Sequence, residues 1–350
     1  MRKSKSCYPQ LKRGTDYKLL KYIGKGMYGL VVLAQHRPTN KLHVLKIATK
    51  LDRSKDREKE IKDHMHDFIR EHVMQHHAYI LLKNSATTTC RVPRPVGYLK
   101  YILEGRPRYA MVGEFVEANE KYEKGAITMQ TALEHDFLSI PYWASIFENL
   151  IKAVKILQGQ DIYHLDINPR NLLLKFSKDL HKAPTPYLID FGFSTRQKDS
   201  RRELRGNVII PDPGLTKEPD YSHSSYYPNI PPENFTDKRP HKSADLYAIS
   251  YLIKLLCNYF PQLATVSRFI EDFRSKSPDN RESFDQFLAN LMAAFGADVA
   301  DLSDHRGISP DAADGRDPRQ DAIEISDSDD AIVIMDSDDD EPSNKRQRAE

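Results

Sequence analysis

The chain has 350 residues, with 52 Lys+Arg against 50 Asp+Glu and a formal charge of only +2. That average hides a division, because residues 297–350 carry 17 acidic and 6 basic side chains, a net of −11, which leaves +13 on residues 1–296. The length suits one large domain or two lobes, the charge asymmetry marks a globular body followed by an interaction tail, and only three scattered cysteines argue against a disulfide framework or a Cys-based zinc site and for a reducing compartment.

In chain order, the opening MRKSKSCYPQLKRG is basic with no apolar run behind it, so no secretory signal is expected. Residues 1–16 read as a basic extension. Residues 17–23, 30–34 and 43–48 read as three short strands, joined by the Gly-rich GKGMYG and by a polar turn at Pro38-Thr39-Asn40. Residues 53–82 are charged and helix-forming, with Ile61, Met65, Phe68, Ile69, Val73 and Met74 on a helical stripe. Strand signals return at 96–103 and 109–116. From residue 130 the pattern is helical, notably IPYWASIFENLIKAVKILQG with Gly159 as C-cap, then 243–260 and 282–295. The run YAISYLIKLL is too short for a membrane span and reads as a buried helix. A β-rich part and an α-rich part imply two lobes meeting near residue 117. The tail from 296 is Asp-rich, and its composition predicts disorder.

Four motifs carry the chemistry. Gly24-Lys25-Gly26-Met27-Tyr28-Gly29-Leu30-Val31 fits G-x-G-x-x-G-x-V between two strands, where glycines let the backbone approach phosphates closely. A strand on both sides argues against a dinucleotide-binding βαβ unit. Lys46 stands between apolar strand neighbours and needs an edge position or a buried anionic partner. His164-Leu165-Asp166-Ile167-Asn168-Pro169-Arg170-Asn171 precedes the apolar run Leu172–Leu174, and Ile189-Asp190-Phe191-Gly192 follows.

In this order the motifs resemble those of eukaryotic-type protein kinases. The resemblance covers residues 17–295 and implies an α+β, bilobal protein kinase fold, with a β-rich N-lobe over 17–116 and an α-helical C-lobe over 117–295. It implies ATP and Mg²⁺ as cofactors and protein hydroxyls, Ser/Thr in most of the family, as substrates. Asp166 is then the catalytic base, Asn171 and Asp190 hold Mg²⁺, and Lys46 holds the α/β-phosphates. Lys46 would be oriented by a helix Glu: Glu71 is chosen, with Glu60 as the alternative. Gly24, Gly26 and Gly29 would cover the phosphates. Val31, Val44 and Leu173 would enclose the adenine, and the backbone of Glu114 and Val116 would meet its edge. Gly113 would hold the gatekeeper position, with open space behind it. Pro232-Glu233, Asp245-Leu246-Tyr247-Ala248 and the segment around Arg281 resemble later landmarks, which implies a Glu233–Arg281 ion pair.

The chain departs from the family at three positions. Leu165 replaces the Arg that commonly precedes the catalytic Asp, which implies activity without a phosphorylated activation loop. Asn168 replaces the Lys of most Ser/Thr kinases. Arg170 resembles the cation of one tyrosine-kinase variant, which keeps tyrosine or dual specificity open as an alternative, as is a pseudokinase scaffold.

Other features have plainer readings. His64, His66, His72, His76 and His77 crowd one helix without the H-E-x-x-H pattern and read as a solvated face. Trp143 reads as core. In the tail, residues 323–330 and 332–341 place β-branched runs beside acids and resemble SUMO-interacting motifs, so SUMO or SUMO-modified proteins are expected partners of 323–341. Lys345-Arg346-Gln347-Arg348 fits a nuclear-localisation patch. No motif supports nucleic-acid binding, and a soluble nuclear monomer without a membrane segment is expected.

Overall fold

The structure, a computed structural model, describes residues 10–11, 16–26, 29–48, 57–103, 106–117, 126–135, 138–177, 179, 181–196, 229, 231 and 241–306. The expected disordered tail beyond residue 306, its SUMO-like segments and its basic patch lie outside the described residues, as does Glu233.

The N-terminal part is a six-stranded sheet in the order β1-β5-β6-β4-β3-β2. Strands β2 (Tyr17–Gly26), β3 (Gly29–His36) and β4 (Lys41–Ala48) form an antiparallel meander, with β6 (Arg106–Glu114) on β4 and β5 (Pro95–Leu103) on β6. The β3–β4 turn places Asn40 at φ 58°, a left-handed conformation that Asn tolerates. The segment read as a basic extension adds a strand of its own, β1 (Gln10–Leu11), parallel to β5. Alternating residues of the meander, including Ala34, Leu45 and Ile47, bury against Leu99, Ala110 and Val112 in a small core.

Helix α1 (Arg57–Lys83) packs on β5 and β6 and also reaches α3. Below it the chain is mostly helical: α2 (Met129–Glu134), α3 (Ile140–Gly159), α4 (Ala244–Tyr259), α5 (Ala264–Ser275) and α6 (Phe284–Arg306). A three-stranded sheet, β7 (Ile127–Thr128), β8 (Leu172–Lys175) and β9 (Thr185–Leu188), lies beside them. Helix α3 is the centre of the main core. Its Trp143, Phe147, Leu150, Val154 and Leu157 recur at three- and four-residue spacing, and all are fully buried. Among the described residues no helix is long and apolar enough to cross a membrane.

Three expectations are corrected. Gly159 is the last helical residue of α3, and the chain turns at Asp161 instead, at φ 61°. The acidic segment does not begin at 296, because α6 continues to Arg306. Asp298 is buried, and its carboxylate accepts the N–H groups of Thr265 (2.9 Å) and Val266 (3.0 Å) at the start of α5. A carboxylate capping a helix N-terminus stabilises it by about 1 kcal/mol, so Asp298 belongs to the fold. The histidine face of α1 is not all solvated: His66 is exposed, whereas His72 is buried and burial lowers its pKa to about 4. Among the described residues no three His, Cys, Asp or Glu side chains are grouped to hold a metal.

Candidate active site

The site lies where the two lobes meet. Gly26 pairs with Gly29 to close the β2–β3 hairpin, and Gly24 pairs with Val31 beside a register shift. Nothing lies within 4 Å of the Cβ that Gly24 or Gly113 would carry, so both stand in open space. Val31 sits opposite Lys46 in the β3–β4 register, and Val44 sits between Leu33 and Gly113. The connection after β6 is braced on its far side: Glu114 N–H donates to the Arg94 carbonyl, and Arg94 N–H donates to Glu114 Oε2, both at 2.8 Å. The Val116 carbonyl accepts from Ala126 N–H at 3.0 Å.

Lys46 is buried, and its ammonium is shared by two carboxylates. Nζ lies 2.9 and 3.0 Å from the two Glu71 oxygens and 2.8 Å from Asp190 Oδ1. The side chain of Glu60, the alternative partner, lies outside the described residues. Burial alone would pull the Lys46 pKa down, but Glu71 and Asp190 hold it well above its ordinary value. Burial also works against both acids. It pushes the Glu71 carboxyl up to about 7 despite Lys46, whereas at Asp190 the ammonium outweighs burial and the pKa falls. A Cβ at Gly192 would crowd this cluster, coming within 3.1 Å of Asp190 Oδ1 and 3.5 Å of Glu71 Oε2.

Opposite stands Asp166. Its Oδ2 accepts from Asn171 Nδ2 at 2.8 Å and its Oδ1 from Asn168 Nδ2 at 3.1 Å. Asn168 also folds the loop, its Oδ1 accepting the N–H groups of Arg170 (3.0 Å) and Asn171 (3.2 Å). Burial, and then the charge of Asp190, raise the Asp166 carboxyl to about 7 against these hydrogen bonds. Arg170 is exposed, and Leu173 is half-buried on β8 opposite Tyr187.

Sequence reasoning passed over the groups that hold this loop in shape. Leu165 (φ 65°) and Asp190 (φ 62°) are both left-handed, a conformation costing about 1–2 kcal/mol for a residue such as Leu. Asp245 offsets that cost from α4: its two oxygens accept His164 N–H (2.9 Å) and Leu165 N–H (2.8 Å). The His164 ring is buried, bonded through Nε2 to the Ile189 carbonyl at 3.0 Å and packed edge-on against Phe191. Asp245 and His164 both stand in the motifs quoted from the sequence, so the signal was present and only the role was missed. Arg281 is buried, bonding Ser243 Oγ at 3.1 Å and lying over the Tyr247 ring.

The donor set fits a hard divalent cation. The Asn171 amide nitrogen is spent on Asp166, which leaves its oxygen for a metal, and Asp190 is kept ionised by Lys46. Two such oxygens suit Mg²⁺, which takes its remaining ligands from phosphates and water.

The model of the protein kinase domain matches residues 17–291. The chain belongs to that family, and its described part has the bilobal kinase fold. It is 26% identical over 178 residues to myosin light chain kinase A of Dictyostelium discoideum, covering 51% of this chain and 50% of that protein. It is 23% identical over 268 residues to human 3-phosphoinositide-dependent protein kinase 1 (75% and 39%) and 28% identical over 206 residues to rat serine/threonine-protein kinase Sgk2 (59% and 42%). The chain thus spans half or less of the length of these relatives.

Proposed function

We propose that the protein is an ATP- and Mg²⁺-dependent kinase that phosphorylates serine and threonine hydroxyls of proteins. The observation that carries this reading is the buried Lys46, held between Glu71 and Asp190 and facing an Asp166 whose two oxygens are fixed by Asn168 and Asn171. Phosphoryl transfer needs charge neutralisation and in-line positioning more than covalent help, and these residues are arranged to supply both.

Lys46 neutralises the α/β-phosphates, and the glycines of the β2–β3 hairpin let backbone N–H groups approach them. Val31, Val44 and Leu173 enclose the adenine, whose edge meets the backbone at Glu114 and Val116. Asn171 and Asp190 would hold Mg²⁺, which would supply positive charge to offset that building on the phosphate oxygens. Asp166 receives the proton of the substrate hydroxyl as its oxygen bonds to the γ-phosphorus and the bond to ADP breaks. A carboxyl at about 7 is suited to that role near neutral pH. Arg170 supplies the cation that Asn168 lacks.

The Ser/Thr assignment draws on the rat relative, a serine/threonine-protein kinase, and on the prevalence of Ser/Thr kinases in the family; Arg170 favours tyrosine. Acid hydrolysis of a radiolabelled generic protein substrate should release phosphoserine and phosphothreonine; phosphotyrosine alone would reverse the assignment.

We further propose that residues 323–341 bind SUMO by adding a strand to its sheet, supported by the β-branched runs and their flanking acids. Immobilised SUMO should retain the full chain and release it when Ile332, Val333 and Ile334 are all changed to Ala. Equal retention of both would remove this part of the reading.

A further inference from the structure

Helix α1 is tied to the segment after Asp190 at more points than the Lys46–Glu71 pair. Arg70 donates through Nη2 to the Gly192 carbonyl at 3.1 Å. Further along the helix, His77 Nδ1 lies 2.8 Å from Arg196 Nη2. A guanidinium only donates, so His77 accepts and carries its proton on Nε2. Arg196 sits on a fixed base: Thr195 and Tyr163 exchange two backbone hydrogen bonds of 3.0 Å, and Ser194 Oγ donates to the His164 carbonyl at 3.3 Å. The catalytic loop is therefore joined to helix α1 through Arg196. The position before Asp166 supplies no cation to organise this region, because it is Leu165, buried with Tyr163 and Ala244.

We propose that Arg196 and His77 are positioning residues for phosphoryl transfer, a clasp that holds helix α1 against the segment after Asp190 and so keeps Glu71 on Lys46. The inference rests on the reading of Lys46, Glu71 and Asp190 given above. Because α1 is one continuous helix through both residues, a shift at His77 is passed to Glu71 along a rigid rod. Among the described residues the buried Arg196 Nε–H has no hydrogen-bond partner, and the His77 contact is the side-chain bond seen to fix this guanidinium. Losing it leaves a partly buried cation unanchored.

The clasp is built to open with acid. His77 faces Arg196 on the segment after Asp190 and His76 on its own helix, and burial together with these two groups lowers its pKa below the ordinary 6.5. Once protonated, His77 has no lone pair for Arg196 and presents a second positive charge to it.

The test compares kcat/KM for a generic protein substrate across pH in the full chain. At pH 7.5, Arg196→Met should lose about tenfold or more, and Arg196→Lys should recover part of that loss. In His77→Asn an amide oxygen replaces Nδ1 and does not titrate, so activity at pH 7.5 should be kept. The ratio of wild type to His77→Asn, near one at pH 7.5, should then fall as His77 protonates, toward the loss seen in Arg196→Met. Full activity in Arg196→Met, or a ratio that stays constant down to pH 5, would overturn the proposal. If Arg196→Met does not fold, the His77→Asn ratio alone decides. Lys46→Met in the same series separates the two levels: if it kept activity, the reading of the site itself would fail, whatever the clasp does.

Discussion

At Asp166, burial and hydrogen bonding act in opposite directions. Two amide donors favour the charged carboxylate, but burial and the neighbouring Asp190 win and raise its pKa from 3.8 to about 7. The folded chain therefore holds this proton more tightly than the unfolded chain does. The stability contributed by the group is full below about pH 4 and is lost as the pH rises through about 7. Asp166→Asn removes that titration. Its melting temperature minus that of the wild type should rise between about pH 4 and pH 8 by a few degrees, equivalent to about 1–2 kcal/mol. Melting curves of both proteins across that range would show it; a constant difference would mean that the carboxyl is not raised. The residues proposed to do the chemistry were readable because each motif sets a short local frame around its charged group. Arg196 and His77 were not, because their contact joins positions 119 apart and neither stands in a motif. His72 was misread for a related reason: a histidine on a charged helix looks solvated until the helix is packed.

At the scale of elements, alternation of apolar residues located the strands, and three- to four-residue spacing located α1, α3, α4 and α6. The ends were harder. Strand β1 is two residues long, and its pairing with β5 has no local signature. Helix α5 was passed over because charged residues interrupt its stripe of Val266, Ile270 and Phe273, although those three are buried and spaced as a helix requires. The end of α6 was misplaced because composition counts acids without separating solvated ones from buried ones. Asp298 adds to the same negative total as the tail, yet it spends its charge on the first turn of α5. Strain follows the same pattern. Leu165 and Asp190 hold left-handed backbone beside the reacting groups, and Asp245 on α4 offsets the cost from outside the loop.

For the whole molecule, the +2 of the full chain describes neither of its parts. Residues 1–296 hold the kinase domain and a surplus of thirteen positive charges. The domain brings together residues far apart in the chain: Lys46 from β4, Glu71 from α1, Asp166 and Asn171 from the loop before β8, and Asp190 from the segment after β9. The central claim is that this constellation transfers phosphate from ATP. The most direct measurement is incorporation of the labelled γ-phosphate of ATP into a generic protein by the full chain with Mg²⁺, beside Lys46→Met and Asp190→Ala. The account predicts labelling by the wild type and a loss of about a hundredfold or more in each variant. A wild type that labels nothing with Mg²⁺ or Mn²⁺, or a Lys46→Met variant that labels as well as the wild type, would contradict it.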